Sequence, residues 1–231
     1  MDNSLNGREN AAEKLRTKFF RTEPKSNLCW TLIGPEQSEK TTLLQELAEE
    51  YGKKEHPKVF FVSYSVSDVK EMEGIASPYV WFWGNVLTAI AEAIPVEKLS
   101  AVMTLTGERG QNALREIQDI YNMAKNPEEL SVLNVSRKVR RLFTLYTNLG
   151  VQILLALDAF EVVDTLFPYD AETDDDSGQN YLFNDLFSIS GKGRMRLNLS
   201  ILLISSCRLG ALQRKVTVGS NVELAYPIIS M

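Results

Sequence analysis

An α/β domain is the fold class this sequence predicts, and three apolar runs predict it. Cys29-Trp30-Thr31-Leu32-Ile33, Val151 to Leu157 and Leu199 to Ser206 are long enough for strands. They are too continuously apolar for strands with a wet face, so they read as covered on both sides. Lys58-Val59-Phe60-Phe61-Val62-Ser63-Tyr64 adds another such strand. Segments with apolar residues at helical spacing lie between the strands, the alternation that puts helices on the faces of a sheet. The 231 residues, 44% of them hydrophobic, suffice for one large domain or two small ones, and a single domain over 1–231 is the simpler organisation.

The first run carries a motif. Gly34-Pro35 opens a turn directly after the strand, and from Lys40 onward Leu43, Leu44, Leu47 and Tyr51 share one helix face, with Gly52 at its end. Strand, loop and helix in that order are what a phosphate-binding P-loop requires, with the pattern G-x-x-x-x-G-K-[ST]. Gly34, Lys40 and Thr41 fit it, and Glu39 stands where the second glycine belongs. Backbone N–H groups and the helix N-terminus make such a loop an anion site, so Gly34, Pro35, Glu36, Gln37, Ser38, Glu39, Lys40, Thr41 and Thr42 are the candidate phosphate-binding residues. A Glu39 carboxylate ~5 Å from a phosphate oxygen, at an effective dielectric of ~20, gives a repulsion of about 3 kcal/mol, roughly a hundredfold in affinity. It avoids that cost by turning outward, or it pairs with Lys40 over the helix N-terminus as an internal substitute for phosphate.

The second run ends on Asp158. A buried strand that terminates in an acid, downstream of a P-loop-like element, is how a Walker B carboxylate reaches magnesium, so Thr41 and Asp158 are the candidate metal ligands. A hydrolytic enzyme of this kind needs a carboxylate directly after that aspartate to orient water; the residue there is Ala159, and Glu161 lies two further on. The third run leads into Cys207-Arg208. The carboxyl ends of strands face ligands in open α/β sheets, so Arg208 is either a sensor of the terminal phosphate or a salt bridge at the sheet rim. Asp158, Glu161 and Arg208 form the candidate catalytic set.

The remaining chain reads as follows. Met1 to Leu5 is an untethered end, Asn6-Gly7 supplies turn chemistry, and Ala12, Leu15 and Phe19 mark a helix to about Arg21. Pro78 to Ile94 is a strongly apolar helix whose Trp81-Phe82-Trp83 is packing, since a base-stacking platform would need local positive charge. Val96 to Lys125 reads as shorter helices broken at Gly107 to Gly110. Asn126-Pro127-Glu128 opens a helix to about Leu149, with Leu130, Leu133, Leu142, Phe143 and Tyr146 inward and Gly150 as its stop. Residues 96–149 thus form a helical insertion between the second and third strands. Asp170, Glu172 and Asp174-Asp175-Asp176 form an acidic loop without calcium-loop spacing. Tyr181 to Ile189 suits a short helix, and Val222 to Tyr226 is a last strand stopped by Pro227.

Composition excludes some partners. A net charge of -5 and a pI near 5.1 argue against a broadly basic nucleic-acid surface, and Arg137-Lys138-Val139-Arg140-Arg141 reads as a solvated helix face. Cys29 and Cys207 lie in strand runs as reduced thiols, and the single His56 lacks partners for a metal or a triad. No apolar run of 18 residues or more suggests a membrane span, so a cytoplasmic protein is expected.

With these residues assembled, the chain resembles the nucleotide-binding domain of the STAND branch of AAA-related P-loop ATPases, a group of signal-transduction switches. Asn6-Gly7-Arg8-Glu9 is similar to the Gly-Arg-Glu box near the adenine, which makes Gly7 and Arg8 candidate nucleotide contacts. Gly34 to Thr41 is similar to Walker A except at Glu39. Leu154 to Glu161 is similar to the family's apolar run followed by Asp-Glu-Phe-Glu, with Ala159 replacing the first Glu, and Ile201 to Arg208 resembles its sensor strand. The resemblance implies a three-layer α/β/α sandwich on a five-stranded parallel sheet, ATP or ADP with magnesium as ligand, and ATP-driven assembly with other domains or subunits. It also implies a helical lid after the last strand, and the sequence ends at Met231 before any lid. The expected function is an ATP-binding signalling or regulatory domain with weak or absent hydrolysis. The alternative is a nucleotide-free pseudo-ATPase acting as a protein scaffold.

Overall fold

The computed structural model describes residues 3–20, 28–35, 39–52, 58–66, 77–125, 131–166, 186, 197–206 and 228–231. In chain order these form α1 (Asn3–Lys18), β1 (Leu28–Ile33), α2 (Lys40–Gly52), β2 (Val59–Ser65), α3 (Pro78–Ala93), α4 (Val96–Val102), α5 (Gly107–Ala124), α6 (Val132–Asn148) and β3 (Gln152–Asp158). A 3-10 turn (Phe160–Val162), the short α7 (Val163–Leu166), β4 (Leu199–Ser205) and β5 (Ile228–Ser230) follow.

The five strands make one sheet in the order β2-β3-β4-β1-β5, and every pairing is parallel. Parallel strands need crossovers; α2 supplies the one from β1 to β2, and α3 to α6 the one from β2 to β3. Side chains alternate across the sheet, so its two faces have different partners. Leu32, Leu154, Ala156, Leu202 and Ile204 point to the face covered by α1 and α2, where they meet Leu15, Leu43, Leu44 and Leu47. Ile153, Leu155, Leu157, Ile201 and Leu203 point the other way, into a core built by α3 to α6. The result is the expected three-layer sandwich, with four helices between the second and third strands. β3 and β4 are central and almost wholly buried, which is why their sequences are apolar without alternation. β2, expected to be covered on both faces, is only half-buried and exposes Ser63, because among the described strands it lies at the edge of the sheet.

The helical core is dense with aromatics. Tyr79, Phe82, Trp83, Phe143, Tyr146 and Phe160 are fully buried, in keeping with the packing role expected of Trp81-Phe82-Trp83. Phe82 meets Trp83 edge-on at 5.3 Å, and both Phe160 and Tyr64 at 6.4 Å. It therefore ties α3 to the edge strand and to the turn after β3. The basic run 137–141 lies on α6 with Val139 buried, while Arg137 and Arg141 are exposed. Arg141 donates to both carboxylate oxygens of Glu116 on α5, at 2.8 and 2.7 Å.

Several boundaries differ from expectation. α1 begins at Asn3, so Gly7 is helical and supplies no turn; a Cβ on it would lie 3.2 Å from the Met231 carbonyl carbon, a tight approach to that backbone. The break in the helical insertion falls at 103–106, and Gly107 starts α5. α6 begins at Val132, where the Asn134 N–H donates to the Ser131 hydroxyl at 3.3 Å. That start sets a register with Val135, Val139, Leu142, Phe143 and Tyr146 inward and leaves Leu133 52% exposed, not inward. Gly150 ends α6 at φ +74 as expected. The Val151 N–H reaches the Tyr146 carbonyl at 2.9 Å and the Gly150 N–H reaches Thr147 at 3.0 Å, the Schellman pattern. A short strand not expected from the sequence, β5, pairs with the far side of β1 over Ile228–Ser230. Residues 126–130, the acidic loop 167–178 and the strand expected at 222–226 lie outside the described residues, as do His56 and Cys207.

Among the described glycines Gly110 is the tightest: an added Cβ would lie 2.4 Å from the Leu105 carbonyl oxygen. Alanine gains about 1 kcal/mol of helix propensity. Moving the backbone of the 103–106 turn away from the new methyl costs more, by analogy with overpacked cores at about 1–3 kcal/mol. Gly110→Ala is therefore expected to lower the urea midpoint; an unchanged or higher midpoint would contradict this packing.

Candidate functional site

β1 and β3 are not neighbours; β4 lies between them, so their ends stand about 10 Å apart, within reach of two side chains meeting from either side. All three strands run in one direction, and their carboxyl ends share one rim. There the Thr41 hydroxyl, in the first turn of α2, donates to Asp158 Oδ2 at 2.5 Å. The other Asp158 oxygen accepts the Ala159 N–H at 2.8 Å. A serine–carboxylate or threonine–carboxylate contact of this kind presents two hard oxygens side by side, the donor chemistry that magnesium takes.

Lys40 is the first residue of α2. Its ammonium donates to the carbonyl oxygens of Gly34 and Pro35, at 2.8 Å each, so the arm reaches back toward the end of β1. The Gly34 N–H reaches the Ser205 carbonyl at 3.4 Å, joining the loop's start to the end of β4. Thr42 is exposed beside Thr41. Glu36, Gln37 and Ser38 lie outside the described residues, as does Arg208.

Glu39 adopts φ +57 and Ala159 adopts φ +51, and among the described residues these are the non-glycine positions with positive φ. Both backbones hold a conformation that suits glycine and strains a residue carrying Cβ. Glu39 still starts the helix, since its carbonyl accepts the Leu43 N–H at 2.8 Å. Its side chain is 65% exposed and takes the outward of the two dispositions, with its carboxylate 3.7 Å from Arg8 Nε. Arg8 also bonds Glu46 on α2 at 2.8 Å. α1 thus brings Arg8 to the loop while Gly7 abuts Met231.

Glu161 is drawn to a different neighbour from Asp158. Its carboxylate accepts the Ser206 hydroxyl at 2.8 Å and the Ser206 N–H at 3.2 Å, tying the turn after β3 to the end of β4. Burial pushes this carboxyl up, but hydrogen bonds from its own backbone, from Ser206 and from Ser205 outweigh it and hold the group below its ordinary value. Sequence reading passed over Ser205 and Ser206, although two polar residues closing an apolar run at the rim that holds Asp158 were a signal. Glu46 gave none, being one acid among several on an exposed helix face. Among the described residues no cluster of three or more His, Cys, Asp or Glu forms a metal site.

A carboxylate held below its ordinary pKa stabilises the fold above about pH 4, and that contribution disappears as pH falls through the folded value. Glu161→Gln should therefore lower the urea midpoint at pH 7, and the gap from the parent should narrow in acid. A gap that does not change with pH would contradict the assignment.

No family model matches the chain, and a search of curated proteins finds no match. Among solved structures it is similar to the Aeropyrum pernix ORC2 protein, determined as ADPNP-ADP complexes, at 14% identity and a TM-score of 0.51. The match covers 100% of this chain and 48% of that one, so the chain spans about half the length of that relative. What the two share is the fold, which in this chain is a parallel sheet with helices on both faces.

Proposed function

We propose that the chain is an ATP- or ADP-binding regulatory domain of the STAND type, with weak or absent hydrolysis. The observation that carries this reading is the contact between Thr41 and Asp158, 117 positions apart in sequence, beside the Lys40 ammonium at a helix N-terminus. Lys40 would exchange the two loop carbonyls for β- and γ-phosphate oxygens, a charge-assisted exchange that favours the ligand. Thr41 and Asp158 would hold magnesium, which when bound neutralises phosphate charge. The outward Glu39 supports binding over an internal phosphate substitute, because its carboxylate lies beside Arg8.

Slow hydrolysis follows from two side chains. The Ala159 methyl has no atom with which to orient water, and the Glu161 carboxylate is occupied by Ser206. Arg208 stands two residues after Ser206, so the direction of β4 supports a phosphate-sensing role for it. Assembly with other protein domains or subunits and a cytoplasmic location belong to the same proposal, while nucleic acid and membrane are not among the proposed partners. No helix of the described residues is long and apolar enough to cross a membrane.

Calorimetric titration of magnesium-ATP and magnesium-ADP is expected to show binding by the parent, reduced about a hundredfold in Lys40→Ala through loss of one charge at ~5 Å. A parent that binds neither nucleotide while Glu39→Gly binds would favour the scaffold reading, for which the glutamate in the loop is the supporting observation. In a phosphate-release assay the parent is expected to turn over slowly and Ala159→Glu faster. No gain in a variant that binds ATP would exclude Ala159 as the limiting position.

A further inference from the structure

We propose that Arg8 is a positioning residue for the phosphate loop, holding the Glu39 carboxylate away from the space a polyphosphate would enter. The inference rests on the nucleotide-binding reading of that loop. Glu39 directly precedes Lys40 at the N-terminus of α2, so the positive end of the helix and the lysine ammonium both attract its carboxylate inward. An opposing partner has to keep it outward, and Arg8 has the geometry for that. Its Nε lies 3.7 Å from Glu39 Oε2. That Nε is buried with no hydrogen-bond partner among the described residues, so the Glu39 carboxylate is the acceptor it faces.

The guanidinium is itself tethered. Its second nitrogen donates to Glu46 Oε2 at 2.8 Å, and Glu46 stands on the same helix about two turns beyond Glu39. Arg8 therefore spans two carboxylates of the α2 segment, and α1, packed against α2 and the end of β5, fixes its stem. With Arg8 removed, Glu39 is free to rotate over the loop. There it would compete with phosphate for Lys40 and repel whatever phosphate binds.

The test is a double-mutant cycle by calorimetry, with magnesium-ATP and magnesium tripolyphosphate as ligands, on the parent, Arg8→Gln, Glu39→Gln and the double variant. Glu39→Gln keeps the backbone strain and removes only the charge. Arg8→Gln is expected to weaken both ligands about fivefold in the parent background and by less than about twofold in the Glu39→Gln background, with Arg8→Lys restoring most of the loss. A fixed charge acting at a distance, or a direct contact with phosphate, gives the same factor in both backgrounds and would overturn the proposal. An effect confined to ATP would assign Arg8 to the base or ribose, overturning it equally. If no variant binds either ligand, the nucleotide reading of the loop falls and takes this inference with it; if binding occurs without coupling, only the inference falls.

Discussion

The contact between Thr41 and Asp158 depends on one constraint: β1, β4 and β3 run parallel, so their carboxyl ends arrive at a single rim. Were β4 antiparallel to the strands on either side of it, its carboxyl end would lie at the opposite edge, and the contacts that Ser205 and Ser206 make with Gly34 and Glu161 would be lost from this rim. The parallel arrangement in turn needs apolar cover on both faces. α1 and α2 supply it on one side, and the larger helical core on the other.

The rim is held together by more than the sheet ladder. The Gly34 N–H bonds the Ser205 carbonyl, Glu161 bonds Ser206, and Thr41 bonds Asp158, so three successive strand ends are cross-linked by polar contacts just outside the apolar layer. Phe160, one residue before Glu161, is fully buried against Phe82 of α3. The turn that carries Glu161 is thereby fastened to the helical core on one side and to β4 on the other.

Two backbone positions at this rim hold left-handed conformations with side chains that do not favour them. Each costs of order 1–3 kcal/mol, a strain that persists only where neighbouring structure over-determines it. At Glu39 the backbone is left-handed and the side chain is turned outward toward Arg8. At Ala159 the left-handed backbone turns the chain from β3 into the 3-10 turn that follows. At both places the backbone takes a conformation that glycine would hold more easily than the residue present.

Apolar patterning by itself determined the α/β class, the four strands to within a residue at either end, and the inward faces of α2 and α3. Burial depends on local hydrophobicity, and hydrophobicity is written residue by residue. The motif spacing likewise marked Lys40, Thr41 and Asp158, because a strand, a turn and a helix start each leave a local signature. Tertiary structure decided what local pattern cannot encode: that β2 is an edge strand among the described strands, that Leu133 faces out, that Gly7 inside α1 lies against the Met231 backbone, and that Glu161 turns to Ser206. It also decided that Glu39 points toward Arg8, a partner 31 positions earlier whose pairing has no signature in either segment, since long-range charge pairing is set by how helices pack and not by the residues around each charge.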